Sequence, residues 1–182
     1  RDGAYAELAR RNVEANGATM VEVVQADLTT LPMELRARTF DHVMFNPPYF
    51  DRAKGSASPD AAREMAMGEE TPIATWVDVG SKRLAPGGWL TVIHRAERMP
   101  DLLSALVTRG GYGGATVLPL AGREGRPAGR VIVQARKGGR AEARLLSPLV
   151  LHEGPAHERD GDDFTAEVAE ILRRGAPLSR LL

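Results

Sequence analysis

The sequence contains no cysteine. Disulfides, thiolate nucleophiles and cysteine-ligated zinc are excluded together. It carries no net charge: 24 Lys and Arg balance 24 Asp and Glu. That excludes a uniformly basic nucleic-acid binder, though not a local basic patch. No apolar run approaches the ~20 residues of a membrane span, and no signal peptide is visible. There is no metal-ligand cluster, no internal repeat and no low-complexity tract. The expectations are therefore no metal, no membrane and a cytoplasmic location. What is present is 182 residues, 43% hydrophobic and 26% charged, enough for one domain with a core of useful size.

Periodicity divides the chain into alternating elements. Residues 4–16 carry an apolar stripe (Ala6, Leu8, Ala9, Val13, Ala15) stopped by Gly17, which predicts a helix. VEVVQAD, residues 21–27, is β-branched and predicts a strand ending on an acid. FDHVMF, residues 40–45, is the next strand. Residues 51–70 read as a loop with a possible short helix. A helix opens at Pro72 and closes at Pro86-Gly87-Gly88. A strand at 89–95, a helix at 99–110, strands at 115–120 and 130–138, and a last helix at 165–174 complete the series. Alternation of helix and strand predicts an α/β fold, a mainly parallel sheet with helices on both faces. About nine residues join the last two strands. That is too short for a parallel crossover, so they form an antiparallel hairpin. The sequence opens without Met, inside or just before a helix. Residues 1–182 are thus expected to be a single domain, incomplete at its N-terminus, with 145–182 as a C-terminal appendage of that domain.

The strand at 40–45 ends in Asn46-Pro47-Pro48-Tyr49. In open α/β sheets, ligands sit beyond the carboxyl ends of the strands. Two prolines fix φ and remove two backbone donors, and they push Asn46 and Pro47 out of the helical region. The loop therefore offers carbonyl oxygens, and Asn46 adds one from its side chain. Such a loop receives hydrogen bonds from an NH₂ group. Tyr49 supplies a π face for a planar substrate. An exocyclic amine is a poor nucleophile because its lone pair is delocalised. Two acceptors on its hydrogens favour the pyramidal form, and positioning with electrostatics then carries a group transfer. The plain alternative is a proline turn after a buried strand.

Asn46 to Tyr49 resembles the catalytic motif of S-adenosylmethionine-dependent amino-group methyltransferases. The wider pattern is similar to the bacterial tRNA1(Val) adenine-37 N6-methyltransferase group. The matching pieces are YAELARRNVEANG, QADL, FDHVMFNPPYF, SPDAAREMA, LAPGGWLTVIHR, LPLAGREGRPAGRVIVQARKG, LLSPLVLHE and FTAEVAEILRRGAPL. The resemblance implies a Rossmann-like class I sheet in the order 3-2-1-4-5-7-6, with strand 7 antiparallel. Strands 1 and 2, the glycine-rich first motif and the acid after the second strand are lacking from the sequence. It implies S-adenosylmethionine as cofactor, with Asp27 accepting from its adenine, Leu28 packing nearby and Asn46 beside it. Asn46 and Pro47 would grip the target amine, with Pro48 and Tyr49 against the base.

Other residues carry two readings each. Asp27 either contacts cofactor or caps the following turn. His94 ends a strand on the ligand side, as a base or as a structural histidine. His42, Trp76 and Trp89 read as packing residues, and Arg95 as solvated. Residues 122–144 hold seven basic side chains (Arg123, Arg126, Arg130, Arg136, Lys137, Arg140, Arg144) against Glu124 and Glu142. That local +5 suits RNA phosphates, with Arg123, Arg126 and Arg130 as the first candidates, or is a solvated hairpin face. The 51–70 loop suits a lid or an insertion. The expected partner is RNA, tRNA first, with adenine N6 as the methylated atom. Rival readings are a protein glutamine amide, guanine N2 of ribosomal RNA, and a non-catalytic RNA-binding module.

Overall fold

The computed structural model describes residues 2–48, 50–51, 68–69, 71–156 and 163–181. The chain forms two compact units, Arg1–Thr39 and Phe40–Leu182.

In the first unit, helix α1 (Gly3–Ala15) starts at Asp2. The Asp2 carboxylate accepts from the N–H groups of Ala4 (2.8 Å) and Tyr5 (3.3 Å), two of the four amides a helix start leaves unpaired. Gly17, at φ 60°, turns the chain out of the helix. None of the α1 side chains is buried. The strand expected at 21–27 does not form. Those residues join no ladder, and a β-branched run becomes a strand only beside another strand that takes up its N–H and C=O groups. A short 3₁₀ helix (Leu28–Thr30) and the single turn α2 (Met33–Arg36) follow.

The second unit is built on one mixed sheet. Its strands are β1 (Phe40–Phe45), β4 (Leu84–Arg95), β5 (Tyr112–Ala121), β6 (Ala128–Lys137), β7 (Arg144–Leu145) and β8 (Leu149–Val150). The order is β1-β4-β6-β5-β7, with β8 also on the outer edge of β5. β1 and β4 are parallel, while β4 with β6 and β6 with β5 are antiparallel. The expected hairpin is therefore present, and β1-β4-β6-β5 reproduces the strand 4-5-7-6 part of a class I methyltransferase sheet. Two short segments, β2 (Phe50–Asp51) and β3 (Gly68–Glu69), pair in parallel as a separate ribbon.

Alternation along the strands sorts side chains to two faces. Leu90, Val92, Val117, Val131 and Val133 face helices α3 (Ile73–Arg83) and α4 (Met99–Arg109), where Val77, Leu102, Ala105 and Leu106 are buried against them. Ile93, Leu118, Leu120 and Ile132 face the other way. They pack with Leu149, Phe164 and Val168 of the C-terminal segment, which carries helix α5 (Ala166–Arg174). Both faces are covered, as expected of an α/β sheet.

Pro86-Gly87-Gly88 does not close a helix. α3 ends at Arg83, and the three residues form a bulge inside β4: Phe40 pairs with Leu84, but His42 already pairs with Trp89. Gly87 takes φ 78°, and a Cβ on Gly88 would stand 2.9 Å from the Asp41 carbonyl oxygen. The α3 carboxyl end is held instead by Lys137, whose Nζ donates to the carbonyls of Ser81 (2.6 Å) and Leu84 (2.7 Å).

Val168 is the buried side chain of α5. Val168→Ala removes two methyl groups and should cost about 2 kcal/mol. Hydrogen exchange should show α5 amides opening well before those of β4 and β6. Uniform loss of protection across the sheet would show that the tail is not a separable layer.

Candidate active site

β1 delivers its last residues to the end of the sheet where the parallel strands finish. Phe45 pairs with Val92, and β4 continues through Ile93, His94 and Arg95. Asn46 therefore emerges beside a neighbouring strand that extends further. Asn46 is exposed, Pro47 is buried to below 2% exposure, and Pro48 is half-buried. The first proline plugs the core while the residue before it reaches solvent. Tyr49 and the body of the expected lid, 52–67, lie outside the described residues.

The strand end is held from behind. The Phe45 ring meets Trp76 of α3 edge to face, with centroids 5.2 Å apart at 76°. α3 approaches so closely because residue 80 is glycine: a Cβ there would stand 2.7 Å from Phe45 Cε2. Trp76 is thus a packing residue, as expected.

His94 is fully buried. Its Nδ1 accepts from the Arg95 N–H at 2.9 Å, which leaves the ring proton on Nε2 in the neutral form. Burial pushes its pKa down and the Arg98 charge adds to this, against Asp101 and Glu97. The structural reading of His94 is therefore favoured over the basic one. His42, expected to pack, is exposed on β1. Arg95 pairs with Glu97 at 3.5 Å. Trp89 is half-buried and carries the Arg136 guanidinium over its ring at 5.8 Å.

β6 runs antiparallel to β4, so its start lies at the same end as Asn46: Arg130 sits opposite Arg95. Arg126 and Arg130 are exposed there. Arg123 is not aimed at solvent. Its guanidinium donates to Asp163 (2.5 Å), to the Gly154 carbonyl (3.2 Å) and to the Glu153 carbonyl. Asp163 also meets His152 Nδ1 at 2.6 Å, and His152 stacks on Phe164. Arg123 ties the hairpin loop to the C-terminal segment and is a structural residue. Spacing alone gave no sign of this, because its partner lies 40 residues away.

Asp27 and Leu28 belong to the first unit. Asp27 Oδ1 accepts from the Thr29 N–H (2.8 Å) and the Thr29 hydroxyl (2.6 Å), starting the 3₁₀ helix, with Leu28 half-buried beside it. The capping reading of Asp27 is therefore realised. Among the described residues no group of three or more His, Asp or Glu could hold a metal ion, and no helix is long and apolar enough to cross a membrane.

No protein-family model and no curated protein matches the chain. Solved structures do. A predicted O-methyltransferase from Agrobacterium tumefaciens superposes with a TM-score of 0.69 at 28% identity, over 94% of this chain and 73% of that one. The fold is the Rossmann-like α/β fold of class I methyltransferases. A putative class I S-adenosylmethionine-dependent methyltransferase from Listeria monocytogenes aligns over 65% of this chain and 38% of that one, with a TM-score of 0.41 at 17% identity. M1.HpyAVI, solved with SAM, aligns over 75% and 60%, with a TM-score of 0.39 at 11% identity.

The His94 environment fixes a pH response. Its folded pKa lies below the unfolded value of about 6.5, so the unfolded chain binds the extra proton between the two. The contribution to stability is complete above about pH 6.5 and declines as pH falls below it. Melting temperatures taken from about pH 8 to about pH 5 should drop less for His94→Gln than for the parent. Parallel curves would mean the imidazole titrates alike in both states.

Proposed function

We propose that this protein transfers the methyl group of S-adenosylmethionine to an exocyclic amine of RNA, adenine N6 in tRNA. The coarse activity, methyl transfer from S-adenosylmethionine, rests on the fold. The choice of an amine rests on one observation: Asn46 stands exposed at the carboxyl end of β1, with Pro47 buried behind it.

Of the cofactor-holding residues expected from the motif, Asp27 and Leu28 are present in the first unit. Asp27, which caps the turn at Thr29, would accept from the adenine amine of the cofactor. Leu28 offers an apolar neighbour. When bound, S-adenosylmethionine supplies an electrophilic methyl on a sulfonium. The Asn46 side-chain carbonyl accepts a hydrogen from the substrate amine, and the Pro47 carbonyl is the second acceptor. Together they hold the nitrogen with its lone pair directed away from the ring. The amine proton becomes acidic as the N–C bond forms and passes to water. No resident base is required for an amine. An alcohol oxygen would need one, and His94, neutral and fully buried, is placed for packing. This favours an amine over the oxygen acceptor named for the Agrobacterium protein.

RNA is favoured over a protein glutamine by Arg126 and Arg130, exposed at the same end of the sheet as Asn46. A binding module without catalysis would have no use for an acceptor loop held by a buried proline.

Labelled S-adenosylmethionine with an extract split into small RNA, ribosomal RNA and protein tests the reading. Label should appear in small RNA and be released as N6-methyladenosine. Label in protein instead would establish the glutamine reading. Asn46→Ala should lower kcat by about 10²–10³-fold, the cost of removing one positioning hydrogen bond, with cofactor affinity within a few-fold. An unchanged kcat would sink the mechanism. Arg126→Ala with Arg130→Ala should weaken RNA binding and flatten its salt dependence. Arg123→Ala should mainly lower the melting temperature.

A further inference from the structure

The basic residues of the hairpin do not form one patch. Arg130 is opposite Arg95 and Arg136 is opposite Trp89. Six steps along the strand separate the two arginines, about 20 Å at 3.3–3.4 Å per residue. Arg136, Lys137 and Arg140 therefore lie at the far end of the sheet from Asn46.

An open cleft of about 560 Å³ lies there, between Pro86 and Gly87 of the β4 bulge and the 136–140 turn. Its walls are fixed. Arg136 Nε donates to the Gly87 carbonyl at 3.0 Å, and the guanidinium lies over Trp89. Arg136 lines the cleft, and anchoring through Nε leaves its two terminal nitrogens as the remaining pair of donors. Gly87 lies against one of them, a Cβ there standing in ordinary contact at 3.4 Å. The turn itself is clamped: Gly138 N–H donates to the Gly111 carbonyl and Gly139 N–H to the Arg136 carbonyl, each at 3.0 Å. Lys137 points to the α3 carbonyls and is occupied there. Arg136 and Arg140 are exposed, with no carboxylate partner among the described residues.

A preorganised guanidinium with two parallel N–H donors, beside a second exposed arginine in a concave surface, matches phosphate. The geometry points to a second phosphate-binding site in this cleft, which takes the RNA backbone at a distance from the methylated base. It rests on the RNA reading above. RNA engaged at Arg126 and Arg130 on one end and at Arg136 and Arg140 on the other is held across the whole sheet. The target base is then presented by the fold of the RNA and not by sequence around it alone.

Bulk deacylated tRNA, end-labelled, serves as the probe in filter binding over a salt series. Arg136→Gln with Arg140→Gln should raise Kd at least tenfold and reduce the slope of log K against log salt by about 1.5, at roughly 0.7–0.9 for each phosphate no longer neutralised. Arg140→Glu, on an exposed side chain, should weaken binding alone without lowering the melting temperature, which covers the case in which the double variant folds poorly. If the parent binds tRNA and both variants bind with the parent's affinity and slope, the cleft is not a phosphate site. If the parent binds no tRNA, the RNA reading falls and the cleft proposal falls with it.

Discussion

Everything in the larger unit depends on β4 being paired on both sides in opposite senses. It takes β1 in parallel and β6 antiparallel. Its alternation is close to strict, with Leu90, Val92 and His94 turned to α3 and α4 and Ile93 turned to the C-terminal segment. Each fully buried Leu or Val contributes about 1.5–3 kcal/mol, so a slip by one residue would expose a whole face. That register is also what brings two separate things to one end of the sheet. The parallel partner finishes there with Asn46, and the antiparallel partner begins there with Arg130.

A site of this kind works only if the strand end does not give. Its stiffness comes from packing behind and beside the strand end. Pro47 is buried, so the chain leaves β1 along a fixed path. Phe45 is held by Trp76, and Gly80 lets α3 sit against that ring without a gap. Lys137 reaches from β6 to the last carbonyls of α3, which fixes the helix at its other end. Positioning to within a fraction of an ångström is what such catalysis demands. Here the support is distributed over β1, α3, β4 and β6.

The sequence was most legible where local pattern and tertiary role agree. The strand at 40–45, the helices near 73–83 and 99–109, the antiparallel hairpin and the last helix all follow from periodicity and short connections. Misreadings arose where a distant partner decides the outcome. VEVVQAD has the composition of a strand, but a strand is a property of a pair. Pro86-Gly87-Gly88 has the composition of a helix stop, yet the same residues serve a bulge, where φ 78° at Gly87 and the closeness of Gly88 to Asp41 require glycine. Arg123 looked like its basic neighbours until Asp163 and two carbonyls near 153–154 claimed it. At the site, the Asn-Pro-Pro motif was legible because prolines act through their own covalent geometry. The cap made by Asp27 needs the Thr29 amide and hydroxyl in place beside it.

The charge pattern shows why a count along the chain misleads. The seven basic residues of 122–144 are contiguous in sequence, but an antiparallel strand carries them from one end of the sheet to the other. Period two then sorts them again. Arg130 and Arg136 share parity with Ile132, the face of the C-terminal segment, whereas Lys137 shares parity with Val131 and Val133, the face of the helices. So Lys137 finds the carbonyls of α3, while Arg136 finds the ring of Trp89, its directly paired neighbour on β4. Two adjacent cations of similar chemistry thus acquire unrelated roles, one closing a helix and one lining a cleft. The difference follows from the pleat and not from the residues themselves. A net charge of zero thus coexists with exposed basic side chains at both ends of a sheet whose middle stays apolar.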